Sequence, residues 1–187
     1  MKTVVVASLD GLAGACAGAL AGARAHACAG VLAFALLCAS CSQKSAQELG
    51  DAGNLALGRS DHGAAIVSFH EAAEFSTPGS AEFVAFRLSE CEAWCGLDGA
   101  RAATEFLSLA GNQPERVGVR EYVSLIAKLS SRQHYEAATG VLEAGAKRFP
   151  DDPKLDELGH SLAQAAANAG NENAVGALKN LGYLGND

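Results

Sequence analysis

The chain has 187 residues and a formal net charge of −7, which is enough length for one domain beyond an N-terminal leader. The acidic balance argues against nucleic-acid binding, because no basic stripe is available to displace the counterions of phosphates. Aromatic residues make up only 6% of the chain, which also contains 21 glycines, as expected for helices that pack closely through small side chains.

Residues 1–41 form an apolar leader. Arg24 precedes a short apolar run that ends in L-C-A-S-C at positions 37–41, the order of features found in a secretory signal segment. This ending resembles the lipobox of bacterial lipoproteins, although Cys38 stands where that family usually has leucine. The resemblance implies that Cys41 is lipidated and becomes the mature N-terminus, so that residues 42–187 form a domain tethered to a membrane surface.

A transmembrane helix over residues 11–37 is the alternative interpretation of the leader. Gly14, Gly18 and Gly22 have the four-residue spacing of contacts between membrane helices, which favours it. Arg24 in the middle of the span counts against it, because a charged side chain is costly there. We therefore expect the lipid tether and keep the membrane helix as the alternative.

Glycines, prolines and capping residues divide the rest of the chain into eight predicted helices. Asp61 and Ser80 each precede an apolar-periodic segment and have side chains suited to an N-cap, and Asp98 is predicted to begin the fourth helix. The predicted helices cover about 46–57, 62–75, 81–95, 98–110, 115–129, 134–149, 154–169 and 174–181.

The helical pattern repeats three times along the chain. Ala102, Phe106 and Leu109 lie on one helical face before Pro114, and two similar sets occur in the neighbouring units. These sets are Ala65, Phe69, Ala72 and then Ala138, Leu142, Gly145 with Pro150. The units begin at Ala46, Phe83 and Val119, which are 37 and 36 residues apart.

These residues resemble the tetratricopeptide-repeat family, whose unit is a helix-turn-helix of similar length. The resemblance implies an all-α fold of antiparallel helix pairs, stacked as a short right-handed solenoid of about three units with a C-terminal capping pair. An ordinary antiparallel helical bundle is the competing interpretation. The family's usual role implies binding of another protein or peptide, in a groove lined by the first helix of each unit.

Carried over by position, the resemblance implies a groove that includes Asn54, Arg87, Cys91, Trp94 and Arg120. Tryptophan offers a rigid apolar platform and arginine a forked donor for carboxylates, and both are enriched where binding energy concentrates. A partner should then present an apolar side chain flanked by a carboxylate. Packing between units is an equally weighted interpretation of Trp94. For Arg87 and Arg120, each taken singly, a solvated helix face is the favoured interpretation.

No motif in the chain predicts a catalytic, metal or cofactor site. Its C-x-x-C pair lies in the leader, and the five histidines have no metal-ligand spacing. Cys91 and Cys95 are spaced i, i+4; we expect small buried side chains, with a cysteine-dependent enzyme or a strained disulfide as alternatives. Four acidic side chains of the first two units are predicted to lie on helix surfaces, namely Glu71, Glu74, Glu90 and Glu92.

These patterns together predict a non-enzymatic protein-binding adaptor. It would be tethered as a lipoprotein on the periplasmic side of a bacterial cell envelope and would bind another envelope protein or a segment of one. The alternative retains residues 11–37 as a membrane helix and leaves the helical body in the cytoplasm.

Overall fold

A computed structural model describes residues 44–185, which form eight helices and no strand. The all-α prediction is therefore confirmed for this part of the chain. The helices are α1 Ala46–Gly58, α2 His62–Phe75, α3 Ala81–Trp94, α4 Gly99–Asn112, α5 Val119–Ser131, α6 Tyr135–Arg148, α7 Pro153–Asn168 and α8 Glu172–Asn180. The leader, the lipidation site at Cys41 and the alternative helix over 11–37 lie outside the described residues.

Short polar side chains begin most of these helices. The Asp61 and Asp98 carboxylates and the Ser80 hydroxyl accept backbone N–H groups three residues on. The predicted caps at Asp61 and Ser80 are therefore confirmed, and Asp98 is the N-cap of α4 rather than its first residue. None of the eight helices is both long enough and apolar enough to span a bilayer.

The predicted start of the fifth helix was wrong by about one turn. Residues 114–116 form a turn, and α5 begins at Val119 with Gly118 as its N-cap. Gly118 has no side chain to cap the helix, so the Glu121 carboxylate reaches back and accepts the Gly118 N–H at 2.9 Å. The buried Val117 also holds this segment outside the helix.

The helices pack in consecutive pairs and in two rows. α1 packs on α2, α3 on α4, α5 on α6 and α7 on α8. Within one row α3 contacts α5 and α5 contacts α7; within the other, α4 contacts α6 and α6 contacts α8. These two rows join the last three pairs, whereas the first pair is joined to the second by the packing of α2 on α3.

Small residues allow aromatic rings to lie between these helices. A Cβ added at Gly53 would meet the Phe69 ring at 2.7 Å, and one at Gly145 would meet Tyr122 at 2.9 Å. The Phe106 ring meets Tyr122 edge-on with 4.9 Å between ring centroids. This close packing explains how a chain with few aromatic residues builds a core, because each ring fills a space that a neighbouring glycine leaves open.

Candidate functional site

The five residues assigned to one groove do not share one surface in the structure. Arg120 lines a groove between α3 and α5, whereas Arg87 and Trp94 line a different recess among α2, α3 and α4. Cys91 is buried, and Asn54 is exposed on α1 away from both. The expectation that Cys91 lines a binding surface was wrong, because its face of α3 is covered by the core.

The α3–α5 groove has a volume of about 330 Å³. Phe106 and Leu125 form a buried apolar floor, and Leu88 is partly exposed above it. Ser124 is exposed on the α5 wall between the two cationic residues of that helix. The lining consists of Leu88, Ser89, Glu92, Phe106, Arg120, Glu121, Ser124, Leu125 and Lys128.

The charged groups of the α3–α5 groove differ in whether they have partners. Lys128 on α5 forms an ion pair with Glu92 on α3. Glu121 is used by the Gly118 cap. Arg120 is exposed and has neither an ion pair nor a side-chain hydrogen bond within residues 44–185. One end of the groove therefore offers a free guanidinium beside an apolar surface.

The second recess, here called the charged recess, is larger, with a volume of about 550 Å³. Its centre is a network in which Arg87 donates hydrogen bonds to Glu90 and, at 3.0 Å, to Glu105. His70 Nδ1 lies 3.3 Å from the Glu90 carboxylate and joins α2 to the network. These ion pairs and hydrogen bonds therefore connect α2, α3 and α4.

Glu90 was expected on a helix surface, and this prediction was wrong. The residue is only 5% exposed. A buried carboxylate needs partners to offset the loss of water, and Arg87 and His70 supply them here. The sequence signal was available: Glu90 interrupts the apolar stripe of its repeat, three residues after an arginine that can pair with it.

Trp94 packs between helices. Its ring is partly buried against the main core, and the Arg101 guanidinium lies over it at 3.9 Å from the ring centroid. The indole Nε1 is buried and has no hydrogen-bond partner among residues 44–185. Because one face of the ring is already covered by Arg101, the packing interpretation of Trp94 fits the structure better than a free binding platform.

Cys91 on α3 and Cys95, the residue that follows α3, are both buried thiols. Burial raises the pKa of Cys91 to about 12 and that of Cys95 to about 11. The Cys95 thiol donates to the Cys91 carbonyl at 3.4 Å. Both thiols are protonated near neutral pH and shielded from solvent, so nothing in their surroundings supports a cysteine-dependent enzyme.

Neither a metal site nor a known relative adds to this picture. Between Lys44 and Gly185, no group of three His, Cys, Asp or Glu side chains is arranged to hold a metal ion. No family model, curated protein or solved structure matches the chain. The resemblance to tetratricopeptide repeats therefore depends on the spacing of small and aromatic residues alone.

Proposed function

We propose that the helical domain is a tetratricopeptide-like adaptor that binds a segment of another cell-envelope protein. In this proposal α1–α6 form about three stacked units of a right-handed solenoid, and α7 and α8 form the capping pair. The contacts of α3 with α5 and of α5 with α7 support such stacking, because first helices of successive units lie side by side in a solenoid. The α3–α5 groove is then part of the ligand-binding side.

The unpaired Arg120 beside an apolar floor is the observation that carries this proposal. A guanidinium presents donors in a fork that matches a carboxylate, whereas Leu88 and the floor beneath it suit an aliphatic or aromatic side chain. The preferred ligand is therefore an extended or helical segment with an apolar side chain next to a carboxylate. A groove of about 330 Å³ accommodates a few side chains rather than a large protein surface.

The charged recess is the weaker candidate even though it is larger. Arg87 is shared by two carboxylates, and Arg101 lies on Trp94. A ligand carboxylate would have to replace an existing ion pair there, and part of that pair is buried. At Arg120 a ligand carboxylate would replace only water.

The leader supports a tether through lipidated Cys41 and a place on the periplasmic side of the envelope. Mass spectrometry of the membrane fraction of bacteria that produce the full chain tests this part separately. A mature chain that begins at a triacylated Cys41 is the expected result. An intact leader would replace the tether with the membrane helix over residues 11–37 and would leave the groove proposal unaffected.

Photo-crosslinking in living cells tests the adaptor proposal. A benzoyl-phenylalanine introduced at Ser124, which is exposed in the groove, should form a crosslink to one defined envelope protein. The same group at Ser161, exposed on α7 outside the groove, is the matched control. A synthetic peptide of the crosslinked segment should then bind the purified domain and lose affinity when Arg120 is replaced by Ala.

Two results would overturn the adaptor proposal. One is the same crosslinks from Ser124 and Ser161, which would mean that the groove selects nothing. The other is a crosslinked peptide that binds the parent and the Arg120→Ala protein equally well. The Ser124 and Arg120 changes are both at exposed positions, so neither result can be attributed to unfolding if the helical circular dichroism is retained.

A further inference from the structure

The α3–α5 groove holds one of its own two cations in an ion pair. Arg120, Ser124 and Lys128 lie at i, i+4 and i+8 along α5, so the two cations are separated by about 12 Å of helix. Arg120 at the amino end is free of partners within residues 44–185, whereas Lys128 at the carboxyl end is paired with Glu92. The ion pair joins α3 to α5 across the groove.

The Glu92–Lys128 pair is accessible and therefore replaceable. The Glu92 side chain is 42% exposed and that of Lys128 is 37% exposed. Glu92 has no other ion pair or side-chain hydrogen bond within the described residues. Exposed pairs of this kind contribute little stability, because water and salt compete with the direct contact.

We propose that Glu92 acts as an internal competitor that occupies the second carboxylate position of the α3–α5 groove. This inference rests on the adaptor proposal. A ligand with one carboxylate binds Arg120 and leaves the Glu92–Lys128 pair intact. A ligand with a second carboxylate about 12 Å from the first must displace Glu92 from Lys128, so that Glu92 sets the preference between singly and doubly acidic segments.

The electrostatics of the groove support this assignment. With Glu92 in place, Lys128 is neutralised, and the floor between the two ends is apolar. A second ligand carboxylate would then gain a contact with Lys128 while placing its charge beside that of Glu92. Removing the charge of Glu92 removes both the competitor and the repulsion.

The test uses a defined peptide and amide NMR titration of the purified helical domain, residues 42–187. Acetyl-Glu-Leu-Ser-Leu with a free C-terminal carboxylate has two charges separated by about 10 Å in an extended chain. The same peptide with a C-terminal amide keeps the sequence and has one carboxylate. Dissociation constants are measured for the parent, Glu92→Gln and Arg120→Ala proteins from the shift of the Ser124 amide.

Glu92→Gln should raise the affinity for the doubly acidic peptide about two- to fivefold, which is the range set by an exposed ion pair. The affinity for the amidated peptide should stay nearly unchanged. Glu143→Gln is the matched control, because Glu143 also pairs with a lysine and is 46% exposed, but lies on α6. That control removes the same charge without touching the groove. It should leave both affinities unchanged.

The outcomes separate this inference from the adaptor proposal. If Arg120→Ala weakens both peptides while Glu92→Gln behaves like Glu143→Gln, the groove proposal stands and the competitor role is wrong. An equal gain for both peptides in Glu92→Gln also overturns that role, because it would reflect net charge alone. If neither peptide binds the parent or Glu92→Gln at millimolar concentration, or Arg120→Ala changes nothing, the adaptor proposal fails and the inference fails with it.

Discussion

The charged recess and the α3–α5 groove lie on different faces of α3 and differ in how their charges are used. The recess, with a volume of about 550 Å³ against about 330 Å³ for the groove, has arginines that are already occupied. Arg87 bridges Glu90 and Glu105, and Arg101 covers Trp94. The smaller groove contains Arg120, which is exposed and has no ion pair in the part of the chain that the structure describes.

This difference suggests a rule for choosing between candidate ligand sites: whether a charged side chain already has a partner within the protein is more informative than the volume of the recess. Removing one partner from a buried ion-pair network destabilises the fold, because the other charge is left without a partner, and a ligand gains little by competing with such a pair. An exposed cation beside an apolar floor, in contrast, can form an ion pair with a ligand without breaking an existing one. The charged recess should therefore respond to substitution through stability, and the groove through binding.

The largest expected effect tests the core beneath the α3–α5 groove. Phe106 is 1% exposed and contacts Tyr122 edge-on, so Phe106→Ala should lower the free energy of unfolding by about 3 to 5 kcal/mol. Phe75 is 52% exposed, and Phe75→Ala should change it by less than about 0.5 kcal/mol. Urea denaturation of both proteins measures the difference. A Phe106→Ala protein as stable as Phe75→Ala would mean that the helix packing described here is wrong.

Trp94 should behave as a packing residue of the charged recess. Trp94→Ala removes a partly buried ring and the contact with Arg101, and should lower the free energy of unfolding by about 2 to 3 kcal/mol. The folded fraction should bind the acidic tetrapeptides with unchanged affinity, because Trp94 does not line the groove. Unchanged stability combined with lost binding would reverse the roles of the two surfaces.

Glu90 and Glu92, two residues apart on α3, provide a direct comparison of the two faces. Glu90→Gln should cost about 1 to 3 kcal/mol of stability, because it removes a charge-assisted contact from the buried side of Arg87. Glu92→Gln should change stability by less than about 1 kcal/mol, because its ion pair is exposed. Chemical denaturation at neutral pH checks both values, and equal costs would contradict the distinction.

The buried thiols predict a smaller, pH-dependent effect. Because burial raises the pKa of Cys91 to about 12 and of Cys95 to about 11, the unfolded chain loses its thiol protons at lower pH than the folded chain. Their contribution to stability is therefore fully present below about pH 9 and is lost as the pH rises toward 11 and 12. Melting temperatures measured from pH 8 to 10.5 should fall less steeply for a Cys91→Ala, Cys95→Ala double variant than for the parent.

Much of the helical framework could be predicted because its signals are local. The Ser80 hydroxyl accepts the Phe83 N–H at 3.0 Å, an arrangement set by residues three positions apart. The late start of α5 was missed because Gly118 is capped by the side chain of Glu121 and not by one of its own. A glutamate three residues after a glycine was the available signal.

The proposed binding surface was harder to predict because it depends on which neighbour each helix face meets. Periodicity correctly groups Arg87, Cys91 and Trp94 on one side of α3, but it does not indicate that this side faces α2, α4 and the core. The stripe that faces α5 begins one residue later, at Leu88 and Glu92, which is a rotation of about 100° on the helix. Tertiary contacts alone decide between the two faces.

The affinity of the helical domain for acetyl-Glu-Leu-Ser-Leu with Arg120 intact and with Arg120→Ala tests the central claim most directly. A lost guanidinium–carboxylate contact should weaken binding about tenfold, which corresponds to about 1.4 kcal/mol. Arg59→Ala, at another exposed arginine outside the groove, should leave the affinity unchanged and controls for net charge. Equal dissociation constants for the Arg120→Ala and Arg59→Ala proteins would contradict the assignment of the α3–α5 groove as the binding site.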